Sequence, residues 1–288
     1  MRKIKSFRRK SPAEIVLYCF VSSIFMVVAL SYLYILVWTL FSAVKTHNEV
    51  VMIPFSLPTT WHWEHFLEVF TKLEVSGTNF FGMLGNSIWF SVVPTFFSQF
   101  VSMSFAYCCS KYKFPGSKWP FMIILIMITL PLYGSSGATY KLYHNLGLIN
   151  SYAQVLVALS GFDTAFLYYT AYFKNVSWAY AEAAMMDGAN AFQIYYKVMV
   201  PQAKPIFTAL FIMGWKGNWN AYSGGLVYYP KLPTLPVGIY QFNKEMIYRA
   251  RLDVLFAACL FISIPALIIY IVFNKTITTN VSFGGLKG

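Results

Sequence analysis

The chain alternates long apolar runs with short polar, basic connectors. Four runs, 15–43, 87–109, 119–140 and 254–273, carry no charge. Each can cross a hydrocarbon core of about 30 Å at about 1.5 Å per helical residue. Two further runs are less clean: 152–173 holds Asp163 near its middle, and 205–222 holds Lys216 with several polar residues. Ionisable groups within a span are tolerated where neighbouring helices shield them from lipid. The pattern therefore predicts an all-α polytopic membrane protein with six transmembrane helices. It divides into a segment 1–80, with an N-terminal tail, the first span and a loop, and a core 81–288. The core holds five spans, a connecting helix and a C-terminal tail. No internal repeat appears, and the spans leave no room for a separate soluble domain.

Composition agrees with the pattern. Apolar residues make up 58% of the 288 and charged residues 11%, too few charges to cover a soluble domain of this length. The net charge of +12 raises the question of nucleic acid, but the basic residues answer it. Six of the 22 sit at Arg2, Lys3, Lys5, Arg8, Arg9 and Lys10, and the rest are scattered over connectors with no aromatic-interleaved groove. Basic residues beside a span set orientation and meet anionic lipid headgroups, so the predicted partner surface is membrane lipid and not nucleic acid. The run 15–43 is too long for a signal-peptide core and lacks a small-x-small cleavage site, so it is expected to be retained.

With the N-terminus inside, inner segments hold 14 Lys and Arg and outer segments eight. That bias predicts both termini in the cytoplasm of a multi-pass cell-membrane protein. The outer segment before the last span breaks the trend, with five of those eight: Lys216, Lys231, Lys244, Arg249 and Arg251. The loop 45–85 faces outward, and its paired Trp61 and Trp63 beside Pro54 and Pro58 predict an ordered cap. Cys19, Cys108, Cys109 and Cys259 lack metal or redox spacing and are expected to pack as small apolar residues. His62-Trp63-Glu64-His65 lacks HEXXH spacing, so it reads as a solvated surface helix, with no metal site expected.

The informative stretch is 181–205, AEAAMMDGANAFQIYYKVMVPQAKP. Parity puts it inside, yet it is not hydrophilic. Ser177 is a good N-cap for a short helix through Met186, and Asp187-Gly188 is a turn in which Gly188 takes positive φ. A second helix from about Ala191 is expected to stop before Pro201. Ala181, Ala183 and Ala184 beside the single carboxylate of Glu182 describe a helix that approaches another surface closely.

This stretch resembles the cytoplasmic signature of binding-protein-dependent ATP-binding-cassette importer permeases, E-A-A-x3-G-x9-I-x-L-P. Glu182, Ala183, Ala184, Gly188 and Pro201 match at the required spacing, with Asp187 in the turn, while Val198 and Val200 replace the Ile and Leu. Further runs are similar to the carbohydrate-importer branch related to the maltose permease. They include Trp38-Thr39-Leu40-Phe41-Ser42-Ala43-Val44-Lys45, Leu57-Pro58-Thr59-Thr60-Trp61, Trp219-Asn220 and Gly284-Gly285-Leu286-Lys287-Gly288.

The resemblance implies a permease subunit of an ATP-driven importer for a sugar or oligosaccharide, and not an enzyme. It implies a homologous second permease, an ATPase dimer that takes the helix around Glu182 to Gly188 in a cleft, and an extracellular solute-binding protein. The chain has no G-x-x-x-x-G-K-[ST] loop, so ATP and Mg belong to the partner ATPase and no cofactor is expected here. For the solute path the candidates are Asp163, Trp215, Asn218, Trp219 and Asn220, since aromatic faces beside amides suit sugars. The other role open to the Trp residues is interfacial anchoring. Asp163 has two readings: an acceptor for sugar hydroxyls or half of a buried pair, or a residue at a helix break after Gly161 near the outer face. The rival class is an ion-gradient-driven secondary transporter, which needs several intramembrane ionisable residues and broken-helix repeats that the chain lacks.

Overall fold

The computed structural model describes residues 11–130, 136–160, 163–248 and 251–281. The basic tail 2–10, Gly161, Arg249 and the run 284–288 lie outside the described residues.

The first helix, α1 (Pro12–Val44), starts at a capping box in which Ser11 and Glu14 satisfy each other's backbone N–H groups. It is apolar on all sides and exposed along its length, and only Ser42, Ala43 and Val44 are buried. Such a helix faces lipid or another chain. Beyond it come α2 (His47–Met52) and α3 (Glu64–Lys72), then α4 (Phe80–Lys111), which is the pillar of the fold.

A polar seam runs down α4 at helical spacing and is saturated by its neighbours. Ser87 accepts the backbone N–H of Leu235 at 2.7 Å, and Asn86 donates to the Pro233 carbonyl at 3.0 Å. Thr95 accepts from Asn218 at 2.9 Å, and Gln99 accepts the Tyr169 hydroxyl at 3.0 Å. Inside an apolar medium such paired side chains hold helices together, because the alternative is a polar group left without a partner.

Then follow α5 (Trp119–Thr129), α6 (Ser136–Asn145), a 3-10 segment Tyr152–Ser160, α7 (Thr164–Asn175) and α8 (Ala179–Met186). After α9 (Ala191–Gln193) a π turn, Ile194–Met199, leads without a break into α10 (Val200–Trp219). The chain closes with α11 (Tyr222–Tyr228), α12 (Leu235–Tyr248) and α13 (Leu252–Val281). Two cores form at opposite ends of α4. One gathers Val69, Met83, Trp215, Leu235 and Val254, and the other Met103, Phe166, Phe173, Ala181 and Met199.

Four described helices are long and apolar enough to cross a membrane: Pro12–Val44, Phe80–Lys111, Ala191–Trp219 and Leu252–Phe273. The other two expected spans differ. Within 119–140 the structure has α5, of 11 residues, and a separate α6 that begins at Ser136. The stretch 152–173 is not one helix but the 3-10 segment and α7, because Asp163 is extended (φ −130°, ψ 177°) and caps α7. The second inner helix does not stop before Pro201 either. The wide π turn shifts the hydrogen-bond register, with Val200 N–H bonded to Tyr195 five residues back. Pro201 follows that shift directly, so the wider turn is what admits a residue without an N–H into the continuing helix.

The loop 45–85 is an ordered cap on the end where α1 finishes. Trp61 and Trp63 stack at 5.8 Å, and Lys45, fully buried, donates to the Ile53 and Pro54 carbonyls. Glu49 accepts from Thr46 and Thr59, and these bonds hold its carboxyl at a pKa of about 2. One expectation here needs correction: His65 is not on a solvated face but 6% exposed. Its Nδ1 bonds the Ala43 carbonyl at 3.0 Å and its Nε2 lies 3.0 Å from Asp253, so the ring ties α1, α3 and α13 together. Arg251 in turn bridges Asp253 and Glu68.

Candidate coupling face and solute groove

The connector 177–190 is built by local rules. Ser177 accepts the Ala179 N–H, but the capping position itself is Trp178, one residue later than expected. At its other end α8 closes in a Schellman motif: Gly188 N–H bonds Met185 at 3.0 Å, and Ala189 N–H bonds Ala184 at 2.9 Å. That closure requires a left-handed residue, and Gly188 has φ +81°. Asn190 and Gln193 form a capping box that starts the next helix.

The small residues of α8 face two ways. Ala181 is fully buried, and Ala184 packs beside it against the chain's own inner core. Their small size lets α8 lie close on the π turn Ile194–Met199. Glu182, Ala183, Asp187 and Gly188 are exposed, and so are Met185 and, at 88%, Met186. Phe192, just past the turn, is 70% exposed. Apolar side chains thus stand open on both sides of the turn. The base is moored firmly: Lys111 donates to the Val176 carbonyl, and the Tyr172 hydroxyl to that of Gln202, both at 2.5 Å. Pro201 stands apart from the α8 turn, in the first turn of α10.

The solute-path candidates do not converge. Asp163 is the N-cap of α7; it accepts the Phe166 N–H, Ser98 Oγ at 2.7 Å and Ser102 Oγ at 2.8 Å. Those serines lie in the C-terminal half of α4, and the N-terminus of α7 is fastened beside them. The carboxylate is occupied by the protein itself and makes no ion pair among the described residues. Trp215 and Trp219 are each 3% exposed, with their rings 5.2 Å apart within the core, so their faces are covered by their own chain. Asn218 is bonded to Thr95.

Asn220 differs. It lines a groove of about 430 Å³ with Tyr222, Tyr240 and Asn243, over an apolar floor from α13. Tyr222 and Tyr240 stack at 5.1 Å, and Lys244 lies over the Tyr240 ring at 4.6 Å from its centroid. Sequence reasoning missed Tyr240, Asn243 and Lys244. Their i, i+3, i+4 spacing on α12 was the signal that could have found them.

The chain's residues 116–282 match the model of the family described as binding-protein-dependent transport system inner membrane component. A diacetylchitobiose uptake system permease protein of Streptomyces coelicolor is 26% identical, over 88% of this chain and 83% of that one. An arabinooligosaccharides transport system permease protein of Bacillus subtilis is also 26% identical, over 97% of this chain and 99% of that one. In fold, the chain is similar to a subunit in the crystal structure of a bacterial ABC transporter involved in import of the acidic polysaccharide alginate. That likeness has a TM-score of 0.75 at 22% identity and covers 93% of this chain and 99% of that one. A membrane-spanning helical fold and a family match over more than half its length make this chain a member of the binding-protein-dependent transport system inner membrane components, a permease subunit of an ABC importer.

Proposed function

We propose that this permease imports a sugar or oligosaccharide and is driven by a separate ATPase through α8. The carrying observation is the closure of α8 at Gly188, which sets an exposed carboxylate and two exposed methionines on a rigidly moored base. Rigid-body movement of such a helix transmits closure of an ATPase dimer to the spans. ATP and Mg bind on that partner. A homologous permease covers the open face of α1 and α13, and a solute-binding protein delivers cargo at the end capped by 45–85. Both termini and α8 then lie in the cytoplasm, and six membrane crossings are completed by α5–α6 and by the 3-10 segment with α7. The sugar reading draws on the oligosaccharide relatives and on the amides and tyrosines around Asn220.

The test is co-expression with the ATPase and partner permease from the same importer. Wild type should co-purify with the ATPase and support uptake. Gly188→Val should lose both while its spans still insert and the two permeases still pair. Normal co-purification and uptake with Gly188→Val would remove α8 as the coupling element.

A further inference from the structure

Part of the cap 45–85 folds back along α1. Trp38 lies about 9 Å short of the end of that helix, at about 1.5 Å per residue. Its Nε1 donates to the Pro54 carbonyl at 2.9 Å, so Pro54 sits beside the span and not above it. At this level α1 still exposes apolar side chains, Leu36, Val37 and Leu40 among them.

The tip that reaches this level, 51–57, is apolar and open. Met52 is 78% exposed, Phe55 77% and Leu57 67%. The stretch 50–61 has no ionisable side chain.

Its backbone is closed in a way that water does not require. Lys45 is fully buried and makes no ion pair among the described residues. Its ammonium donates instead to the carbonyls of Ile53, at 3.3 Å, and Pro54, at 3.0 Å. Ile53 also accepts the Ser56 N–H at 3.2 Å and the Ser56 hydroxyl at 3.0 Å. Water would hydrate the carbonyls of such a turn, whereas in hydrocarbon each needs a donor from the protein. A lysine buried to saturate two carbonyls therefore fits an apolar surrounding. A protein partner fits less well, because interfaces between proteins carry about one hydrogen bond per 100–200 Å². Ser56, the only polar side chain of 50–58, is already turned onto its own backbone.

We propose that 51–57 is a membrane wedge, with Met52, Phe55 and Leu57 sunk among the lipid acyl chains of the leaflet on the capped side. Apolar faces at that boundary lie about 5–10 Å deep. Trp61 and Trp63, stacked and each about half exposed, stand at the same end of α1 as Trp38 and suit the aromatic belt of the interface. The wedge sets the height of the cap against the bilayer, and His65 passes that restraint to α1 and α13.

The experiment uses the assembled importer, both permeases with ATPase, in proteoliposomes of phosphatidylethanolamine and phosphatidylglycerol with binding protein added. A benzophenone side chain is placed at one position at a time, as Met52→p-benzoylphenylalanine, Phe55→p-benzoylphenylalanine or Leu57→p-benzoylphenylalanine. On illumination each should give an adduct between this chain and a phospholipid acyl chain, read by mass spectrometry. Lys72→p-benzoylphenylalanine, within the charged set of Glu68 and Arg251, should give none. Co-purification checks assembly, and a position that blocks it leaves the other two to decide. Adducts to the second permease or to the binding protein in place of lipid overturn the proposal and make the tip a protein interface. Loss of every adduct puts the tip in water and overturns it too, as does an equal lipid yield at Lys72. None of these outcomes bears on the importer reading, which stands or falls with ATPase co-purification.

Discussion

The Ser102 hydroxyl donates to the Asp163 carboxylate at 2.8 Å, joining the C-terminal half of α4 to the N-cap of α7. Ser98, one turn earlier on α4, donates to the other oxygen at 2.7 Å. One carboxylate thus caps a helix and fastens it to the pillar of the fold, in a place where an unsatisfied charge would be costly.

Asp163→Ala should therefore lower stability by about 1–3 kcal/mol, combining loss of an N-cap with loss of two charge-assisted bonds. Asp163→Asn keeps an acceptor for the Phe166 N–H and should cost about 1 kcal/mol. Thermal unfolding in detergent, followed by tryptophan fluorescence, checks the order. Equal stability of all three proteins would mean the serines find other acceptors without loss.

Hydropathy made α1, α4 and α13 legible because a helix that crosses a hydrocarbon core needs a long stretch free of charge, and composition alone records that. The Asp187-Gly188 turn was legible because only glycine takes its backbone angles cheaply. The break at Asp163 was not, since an apolar run looks the same whether its backbone is continuous or interrupted. Continuation through Pro201 depends on the π turn, which has no local composition. Burial of Trp215, Trp219 and His65 depends on which way a helix is rotated against partners distant in sequence. Of the solute-path candidates, Asn220 alone lines the groove; Tyr222, Tyr240 and Asn243 complete it from elements that come together only in the fold.

Gly188 separates backbone strain from bulk. A Cβ there would meet nothing within 4 Å in this chain, so the cost of Gly188→Ala within it is the left-handed penalty, about 1–2 kcal/mol. Gly188→Asn should be milder, because Asn tolerates that region. If ATPase association falls in the order Gly, Asn, Ala, strain in the Schellman turn governs coupling. If Asn is as poor as Val, a partner surface packs against the glycine directly.

Two glycines on the opposite side should respond unequally to alanine. At Gly225 a Cβ would run into Val237 Cγ2 and meet the Tyr229 ring at 3.1 Å; at Gly238 it would meet Met83 Sδ at 2.5 Å. Valine is stiff at χ1, whereas methionine is unbranched and adaptable. Gly225→Ala should cost about 1–3 kcal/mol and Gly238→Ala less. Unfolding midpoints of the two variants decide it, and the reverse order would show that Val237 has room the packing does not suggest.

The cap should carry a pH signature at Glu49. Its carboxyl is held down to about 2, first by the Thr59 hydroxyl and then by the Thr46 backbone, from an ordinary value of 4.5. The folded pKa is depressed, so the folded cap binds fewer protons than the unfolded one. Its contribution is fully present above 4.5 and is lost as pH falls through the folded value near 2. Glu49→Gln removes the charge at every pH. At pH 7 the variant should therefore loosen the segment that joins Thr46 to Thr59, seen as faster backbone hydrogen exchange across α2 and at Thr59. The difference from wild type should shrink as pH drops from 4.5 toward 2, where the wild-type carboxyl is itself protonated. Exchange rates are corrected for their intrinsic pH dependence by comparison with α8, which lies far from the substitution. A difference that stays constant over that window would mean Glu49 acts through shape alone and that its charge contributes nothing to the cap.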